Sequence, residues 1–521
     1  MPNIIIDGNQ IEALATDTIL SAASRAGIEI PHFCHHPELQ YAGSCRMCMV
    51  EVEKSPKLLT ACSTMVSEGM IVRTSTEKVK KARAAVLEFL LINHPLDCPI
   101  CDKAGECPLQ DNYFKYSARE SRYEEEKWHK RKKADLGPAI THDEERCILC
   151  TRCVRFMQDI AKSPQLVVTR RGSKNTLTTY PGAPLDNPYS LNTVDICPVG
   201  ALTSKDFRFK CRAWYLKSSR SVCPFCATGC STVVQHDQNA VHRILPYKNE
   251  KTNGSFMCDY GRLFRKHINS ENRMTAPVIK NNRKDASSVT TEESYEKAFV
   301  LIGERLASVL KNDGAKRAGV LISPYLSVEE AYIILKTFYE AGSSHIALID
   351  CGEGIDGFSI SDDYLISKDK SSNKAGILEL AKKIGANFIK PETLASAAGT
   401  KKIGALIFAG PPFGMSEYYE KNKAELDSAD FILSLSSHFQ APASRSDAAI
   451  PFSLWCESEG HFVNKQNMVQ HYGAAVNSPA KGSPDNIQIL CRLASLFKVK
   501  TDYKSPVEVY NDIKNKLHLF E

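Results

Sequence analysis

Four groups of cysteines, one of which includes a histidine, dominate the chemistry that this sequence can perform. Sixteen of the 19 cysteines in the 521-residue chain lie between residues 34 and 258. Disulfide frameworks are typical of short secreted chains, and we expect no secretory signal here, so clustered Cys-x2-Cys units indicate metal or iron–sulfur sites instead. The predicted ligands are Cys34, Cys45, Cys48 and Cys62 in the first group, His94, Cys98, Cys101 and Cys107 in the second, Cys147, Cys150, Cys153 and Cys197 in the third, and Cys223, Cys226, Cys230 and Cys258 in the fourth.

The first group has the spacing Cys-x10-Cys-x2-Cys-x13-Cys. Before it, NIIIDGNQIEAL alternates as a β-hairpin does, TILSAASRAGIEI has helical apolar spacing, and MVEVE after Cys48 predicts another strand. A small sheet, one helix and a loop with Gly43 and Ser44 are what a plant-type [2Fe–2S] ferredoxin offers. Because plant ferredoxins use Cys-x4-Cys-x2-Cys, a variant is predicted. The spacing alone also allows zinc.

The second group, HPLDCPICDKAGEC, follows EKVKKARAAVLEFLLINHP, which predicts a helix that ends before Pro95. Three cysteines and one histidine also form a structural zinc set, so the motif alone favours neither metal. Its position between two groups with iron–sulfur spacing favours a [4Fe–4S] cluster with His94 as the fourth ligand.

The third group, ERCILCTRC, is completed by Cys197 in VDICPVGAL. A Cys-x2-Cys-x2-Cys run with a remote Cys-Pro is the signature of a bacterial-type [4Fe–4S] site. No second run of this kind precedes Cys197, so this module is predicted to hold a single cluster. Cys211 is left over, and we interpret it as a small buried side chain.

The fourth group, SVCPFCATGC, is completed by Cys258 in FMCDYGR. The spacing Cys-x2-Cys-x3-Cys-x27-Cys fits a [4Fe–4S] cluster at the entrance of a larger domain. Zinc is the alternative that this spacing leaves open.

Taken in order, the four groups resemble those of the large iron–sulfur subunit (the G subunit, or 75 kDa type) of NADH:quinone oxidoreductases. GSCRMCMVEVE, HPLDCPICDKAGECPLQD and RCILCTRCVRF carry the resemblance. It implies one [2Fe–2S] cluster on the first group and three [4Fe–4S] clusters on the others, the fourth being an extra cluster that some bacterial members keep off the main electron path. It also implies a flavin-containing, NADH-oxidising subunit as electron donor and quinone-side iron–sulfur subunits as acceptors.

The C-terminal half predicts a doubly wound α/β domain that resembles a shortened molybdopterin-oxidoreductase fold. GVLISPYLSVEEAYIILKTFYEAGSSHIALID reads strand, helix, strand, and KIGALIFAGPP and ADFILSLSSH predict further buried strands. The short length, and Gln466-Asn467-Met468 where the family has Glu-Gly-Arg, argue against bound molybdopterin. Cys351 stands where a formate dehydrogenase could place a metal ligand, but a structural cysteine is preferred. For the Gly-x-Gly-x-x-Gly pattern in CGEGIDG, a strand-end loop is preferred to a dinucleotide site.

The predicted fold class is α+β and α/β, in several domains. Five segments are predicted: a [2Fe–2S] ferredoxin-type β-grasp domain at 1–78, a [4Fe–4S] segment with one histidine and three cysteines as ligands at 79–118, a [4Fe–4S] ferredoxin-like domain at 119–217, a four-cysteine [4Fe–4S] entry segment at 218–275, and the shortened molybdopterin-oxidoreductase-like domain without pterin at 276–521.

The sequence predicts an electron-transfer subunit without an active site of its own. The net charge of +6 is modest, and the basic run KWHKRKK is interpreted as a solvated or subunit-docking face rather than a nucleic-acid site. No apolar run approaches the roughly 18 residues of a membrane helix, so we expect membrane contact only through partners. The family resemblance implies a place in the peripheral arm of a membrane complex, on the cytoplasmic side of the inner membrane. The alternatives are the iron–sulfur subunit of a soluble NAD-linked formate dehydrogenase or hydrogenase, and a zinc-binding scaffold.

Overall fold

The computed structural model describes residues 1–117, 120–283, 290–311, 314–352 and 358–520. These residues form two compact units, Met1–Leu216 and Lys217–Glu521. The glycine pattern in CGEGIDG lies mostly outside the described residues, which resume at residue 358. Within the described ranges, no helix is both long and apolar enough to cross a membrane.

A five-stranded sheet with one helix opens the first unit. Its strands are β1 (Asn3–Ile6), β2 (Asn9–Glu12), β3 (Met49–Val52), β4 (Leu59–Thr60) and β5 (Ile71–Arg73), in the spatial order β2-β1-β5-β3-β4. The predicted hairpin is confirmed, since β1 and β2 pair antiparallel, and so is the predicted helix, α1 (Ile19–Arg25). Thr18 and Ser21 form a capping box at the start of α1, which satisfies backbone N–H groups that the first turn leaves without helical partners.

The rest of the first unit consists of one long helix and many short elements. These are α2 (Glu77–Leu91), α3 (Pro108–Tyr116), β6 (Ala134–Asp135), β7 (Ile140–His142), α4 (Arg152–Arg155), β8 (Leu166–Thr169), β9 (Thr176–Thr179), α5 (Asn192–Asp195) and β10 (Leu202–Ser204). The helix predicted before Pro95 is α2, and Thr76 caps its start by accepting a hydrogen bond from the backbone N–H of Val79. The short elements leave the second and third ligand groups on loops.

The second unit opens with a three-stranded antiparallel sheet that frames the fourth ligand group. Its elements are β11 (Lys217–Val222), β12 (Ser231–Asp237) and β13 (Ala240–Pro246), followed by α6 (Asp259–Leu263) and α7 (Arg265–Ile268). The loop from Cys223 to Cys230 joins β11 to β12, and Cys258 directly precedes α6. The strands and the short helix therefore bring ligands that are distant in sequence to one place.

A seven-stranded sheet forms the core of the second unit. Its elements and those around it are β14 (Val278–Lys280), β15 (Thr290–Glu292), α8 (Tyr295–Leu310), β16 (Ala318–Ile322), α9 (Val328–Glu340), β17 (His345–Leu348), α10 (Lys374–Ile384), α11 (Pro391–Gly399), β18 (Ala405–Ala409), α12 (Met415–Lys421), α13 (Lys423–Leu426), β19 (Phe431–Ser436), β20 (Ala448–Pro451), β21 (Gly460–Val463), β22 (Val469–Tyr472), α14 (Asn486–Leu496) and α15 (Pro506–Leu517). The strand order is β15-β14-β20-β19-β18-β16-β17, and the run from β20 to β17 is parallel.

The sequence prediction for this sheet is confirmed. The four apolar segments that predicted strands form β16, β17, β18 and β19, and the helix predicted between the first two is α9. Every residue of β16, β18 and β19 is buried. Continuous apolar runs of this kind are expected for parallel strands that are covered on both faces.

Candidate metal centres

The first thiol group lies on the loops of the N-terminal sheet. Three of its cysteines are buried, and Cys45 is half-buried. Side-chain contacts at hydrogen-bond distance join Cys34 to Cys45, and join Cys62 to both Cys34 and Cys48. The structure therefore brings all four predicted residues of this group together.

Hydrogen bonds to sulfur polarise this group. The backbone N–H groups of Phe33 and Cys34 donate to the Sγ of Cys45 at 3.4 and 3.5 Å. The Cys45 thiol lowers the pKa of Cys34, and the Cys62 thiol lowers the pKa of Cys48 to about 7, while the pKa values of Cys45 and Cys62 are raised by the side-chain hydrogen bond to Cys34. These contacts thus favour thiolate, the form that binds a metal, at Cys34 and Cys48, and they disfavour it at Cys45 and Cys62.

The second group follows α2 on a loop at the protein surface. Cys98 is exposed, Cys101 is buried and Cys107 is half-buried, and each thiol acts electrostatically on the next. Burial lowers the pKa of His94 to about 4, so its imidazole is neutral near pH 7, as a metal ligand must be. His94 lines a cavity whose described wall also includes Cys147 of the third group.

The second and third groups adjoin within the first unit. The thiol of Cys107 lies 3.8 Å from the carbonyl oxygen of Pro198, the residue after the remote third-group cysteine. A Cβ placed on Gly200 would lie 2.1 Å from the Sγ of Cys101. Because such an approach is too short for any side chain, glycine at this position lets the two ligand segments pack against each other.

The third group surrounds a small cavity of about 20 Å³. Its wall contains all four predicted thiols together with apolar side chains that include Val154, Val168 and Leu177. Burial raises the pKa of Cys147 to about 12 and that of Cys150 to about 11. Thiols of this kind lose their protons only when a bound metal supplies compensating positive charge.

All four cysteines of the fourth group are buried, whereas each of the other groups contains at least one half-buried cysteine. Each of its thiols belongs to a residue that is only 5% exposed. Burial raises the pKa of Cys258 to about 12, and it raises the pKa values of Cys223 and Cys230 well above their usual range. A Cβ on Gly261 would lie 2.7 Å from the Sγ of Cys223, so glycine is required beside this group.

The β21–β22 hairpin contains Gln466-Asn467-Met468, where the sequence departs from the family pattern. This hairpin contacts the loop from Cys223 to Cys230. The backbone N–H of Lys465 donates to the carbonyl of Ala227 at 2.7 Å, and the side-chain amide of Gln470 donates to the carbonyl of Gly229 at 2.8 Å. Asn467 occupies the turn with a left-handed φ of 58°. In this chain the segment supports the Cys223–Cys230 loop.

Each ligand loop contains a residue in the left-handed conformation. The first loop has Gly43 (φ 60°) and Arg46 (φ 59°), the second has Gly105 (φ 87°), and the fourth has Gly229 (φ 63°). The third loop has two, Leu149 (φ 51°) and Thr151 (φ 60°). Left-handed φ is costly for a β-branched residue such as threonine, and strain of this kind is concentrated at functional sites. The tight curl that it produces turns successive cysteines toward one centre.

The donor sets fit iron–sulfur clusters. In the third group, four thiols line a small cavity together with apolar side chains. This donor set would hold an iron–sulfur cluster, and the apolar wall would exclude water from it.

Cys351 lies apart from these groups, at the carboxyl edge of the parallel sheet. Its thiol contacts the carbonyl oxygen of Phe413 at 3.6 Å, and burial raises its pKa to about 12. It lines a cavity of about 580 Å³ with Asp350, Glu392 and Glu417, and the described part of that wall contains no other cysteine and no histidine.

Sequence reasoning missed the basic residues that contact these groups. Arg152 and Arg155 flank Cys153 and donate to backbone carbonyls of the first group. Lys370 is 1% exposed and lies near Cys226 and Cys258, whose thiols oppose the lowering of its pKa by burial. The motif CTRCVR, in which Arg152 and Arg155 lie on either side of a predicted ligand, could have indicated these two arginines. The sequence near Lys370 contains no comparable motif.

The fold and the sites define a multidomain α/β iron–sulfur protein. Family models match each ligand group: "2Fe-2S iron-sulfur cluster binding domain" at residues 2–77, "NADH-ubiquinone oxidoreductase-G iron-sulfur binding region" at 83–122, "NADH-quinone oxidoreductase subunit 3, ferredoxin-like domain" at 137–203, and "Molybdopterin oxidoreductase Fe4S4 domain" at 216–270. The predicted fold class is confirmed, and so is the presence of 2Fe-2S and 4Fe-4S binding domains.

The particular relatives are subunits of NADH-quinone and NADH-ubiquinone oxidoreductases. The chain is 42% identical to the G subunit of NADH-quinone oxidoreductase from Rickettsia felis, over 65% of this chain and 49% of the relative. It is 39% identical to the G subunit from Streptomyces coelicolor (64% and 39%), and 40% identical to the NADH-ubiquinone oxidoreductase 75 kDa subunit of Reclinomonas americana (67% and 49%). The predicted resemblance is confirmed, and the chain spans half or less of the length of these relatives.

Among solved structures, one chain of the NAD+-reducing [NiFe]-hydrogenase in the H2-reduced state is similar over part of the sequence. It is 32% identical, the match covers 40% of this chain and 90% of that chain, and the TM-score is 0.37.

Proposed function

We propose that this chain is an electron-transfer subunit of an NADH:quinone oxidoreductase. One observation carries the proposal: the first three ligand groups adjoin one another within one unit. The Arg155 guanidinium donates to the carbonyls of Cys34 and Cys150, which joins the first group to the third. The contact of Cys107 with Pro198 joins the third group to the second. Adjacent groups in this order support a continuous electron route.

The proposed ligands are the sixteen residues predicted from the sequence, in four sets. The proposed cofactors are one [2Fe–2S] cluster on the first set and one [4Fe–4S] cluster on each of the others. When bound, such clusters supply one-electron transfer without breaking bonds in a substrate. The residues of this chain hold them, donate backbone N–H groups to sulfur and surround them with apolar side chains that exclude water.

The proposed partners are a flavin-containing, NADH-oxidising subunit and quinone-side iron–sulfur subunits. One exchange point is the second group, because Cys98 is exposed and is flanked by Leu96 (88% exposed) and Ile100 (60% exposed). Exposed apolar side chains beside a ligand favour contact with another protein. We place the chain in the peripheral arm on the cytoplasmic side of the inner membrane, with no nucleic-acid partner.

We further propose that the chain has no independent active site and binds no molybdopterin. Cys351 is the candidate metal ligand that its position in the sequence suggests, and the described wall of its cavity offers carboxylates but no second thiol or imidazole. The turn at Gln466-Asn467-Met468 supports the same conclusion, because it belongs to the hairpin that contacts the loop from Cys223 to Cys230.

The test is the metal content and electron flow of the anaerobically purified complex. We expect about 14 irons per copy of this chain, little zinc and no stoichiometric molybdenum. NADH should reduce both a flavin-level dye and quinone, and Cys150→Ala should abolish quinone reduction while dye reduction persists. Stoichiometric zinc without iron would contradict the proposal and favour a zinc-binding scaffold. Copurified hydrogenase or formate dehydrogenase subunits would instead favour the iron–sulfur subunit of such an enzyme.

A further inference from the structure

Helix α4 carries Cys153 of the third group between two arginines, and both reach the first group. Arg152 and Arg155 lie on either side of that cysteine in the sequence and turn toward residues more than 100 positions earlier. Neither has a carboxylate among the hydrogen-bond partners found in the described chain; their acceptors are a threonine hydroxyl and backbone carbonyls. An arginine without an acidic partner in a half-buried position requires another source of negative charge.

Arg155 connects ligands of two different groups. Its guanidinium donates to the carbonyl oxygens of Cys34 and Gln40 in the first loop, and to that of Cys150 in the third loop at 3.4 Å. Its Nε donates to the hydroxyl of Thr151 at 3.3 Å, which holds the planar group in place. One guanidinium therefore spans from the backbone of a first-group ligand to the backbone of a third-group ligand.

Arg152 makes a second connection between the same two groups. It donates to the carbonyl of His35, next to Cys34, and to the carbonyl of Ile196 at 3.2 Å, next to Cys197. Burial lowers its pKa, and the thiols of Cys150, Cys197 and Cys34 act in the opposite direction. Its positive charge consequently lies within reach of thiols from both groups.

The physical consequences are geometric and electrostatic. A guanidinium presents several N–H donors in a rigid plane, so two such groups fix the relative positions of the loops that they bridge. Cluster potentials depend on net charge and on hydrogen bonding around the site, so positive charge near both centres favours reduction of both. A lysine in place of an arginine retains the positive charge, but its ammonium group cannot donate to several carbonyls in one fixed plane.

We propose that Arg152 and Arg155 are positioning residues that clamp the first and third centres at a fixed separation and raise the reduction potential of each. The inference rests on the proposed function in one respect, namely that these two thiol groups hold iron–sulfur clusters.

The test uses the full-length iron-loaded chain, reduced chemically, so that no partner subunit is needed. Arg155→Met, Arg152→Met and Arg155→Lys are compared with Arg171→Met, which removes the same charge from an exposed position in the same unit. The readouts are iron content, the EPR midpoint potential of each centre, and the magnetic relaxation enhancement that the reduced third centre produces on the first.

We expect both Met variants at Arg152 and Arg155 to lower the potentials of the first and third centres together and to weaken the relaxation enhancement. Arg155→Lys should keep both potentials near the original values and still weaken the enhancement, because it preserves charge and loses the bridge. If a Met variant fails to bind iron, the potentials and the relaxation enhancement of Arg155→Lys test the proposal instead. Potentials and enhancement equal to those of Arg171→Met, or a shift of one centre only, would overturn the clamp. Absence of both EPR signals from the unsubstituted chain would instead overturn the proposed function.

Discussion

The two units of the chain use cysteine groups in different structural settings. In the first unit three groups lie on loops between short elements, and one thiol, that of Cys98, is exposed. In the second unit the single group is wholly buried, beside a separate seven-stranded sheet whose core contains no ligand. The difference suggests that bound metal organises much of the first unit, whereas the sheet of the second unit is stabilised by apolar packing.

The lengths of the elements explain this contrast. Helices α4 and α5 have four residues each, and β6 has two. Elements this short are marginal by themselves in water. In the second unit α8 has 16 residues and α9 has 13, and both pack on parallel strands in one large apolar cluster. Because unfolded chains lack a preformed site, the free energy of metal binding adds to the folding free energy of the first unit.

Iron removal should therefore have the largest effect, and it should leave the seven-stranded sheet of the second unit intact. After anaerobic chelation, we expect the loops of Cys147–Cys153 and Cys98–Cys107 to lose protection from hydrogen exchange, while β16, β18 and β19 retain theirs. Hydrogen exchange measured by mass spectrometry gives the comparison directly, with the untreated protein as control. Equal loss in both units would show that the contrast between them is false.

Removal of one ligand should have the next largest effect. Cys197→Ala takes one thiol from the cavity of the third group, so we expect that centre to be lost or degraded to a three-iron form, and quinone reduction to stop. Cys211→Ala is the matched control, since it changes the neighbouring half-buried cysteine, and it should leave every EPR signal intact. If the two variants exchange their behaviour, Cys211 is the remote ligand.

A charge change beside the fourth group should shift a potential without loss of iron. The ammonium of Lys370 donates to the carbonyl of Ser367 at 2.7 Å, lies 4.7 Å from the centre of the Phe358 ring, and sits near the thiols of Cys226 and Cys258. We expect Lys370→Met to lower the midpoint potential of the fourth centre, because an anionic cluster loses a buried cation. A redox titration followed by EPR, with Lys368→Met as control, tests this. An unchanged potential with full iron content would contradict it.

In the first unit, the substitution His94→Cys changes the charge at the second centre. A thiolate in place of a neutral imidazole adds one negative charge, so the potential of the second centre should fall while its irons remain bound. Potentiometric EPR is again the measurement, and the other three centres serve as internal controls. A site that binds zinc and shows no EPR-active centre in either form would exclude the iron–sulfur assignment for this group.

The smallest effect is expected at Cys351, which is buried but contacts no predicted ligand in the described residues. Cys351→Ala should leave iron content and NADH-dependent quinone reduction unchanged. Stoichiometric molybdenum, with formate oxidation abolished by this substitution, would contradict that expectation and favour the formate dehydrogenase alternative.

The sequence by itself predicted the elements and ligand groups whose signals are local. Cysteines that are separated by only two to five residues lie on the same short segment. Their spacing therefore predicts a common metal centre before any tertiary structure is known. The hairpin of β1 and β2 and the helix α2 follow from periodicities of two and 3.6 residues, and the buried strands β16 to β19 follow from continuous apolar runs.

Only the tertiary structure decided which groups adjoin and which distant side chains contact them. Arg155 meets the carbonyl of Cys34 across 121 positions, and Gln470 meets that of Gly229 across 241. Lys370 likewise reaches the fourth group from a separate segment of the chain. No local pattern contains these contacts, because they arise when apolar packing and backbone hydrogen bonding bring separate segments together. The spacing of cysteines therefore predicted the ligand sets, and the packing of the chain determined their neighbours.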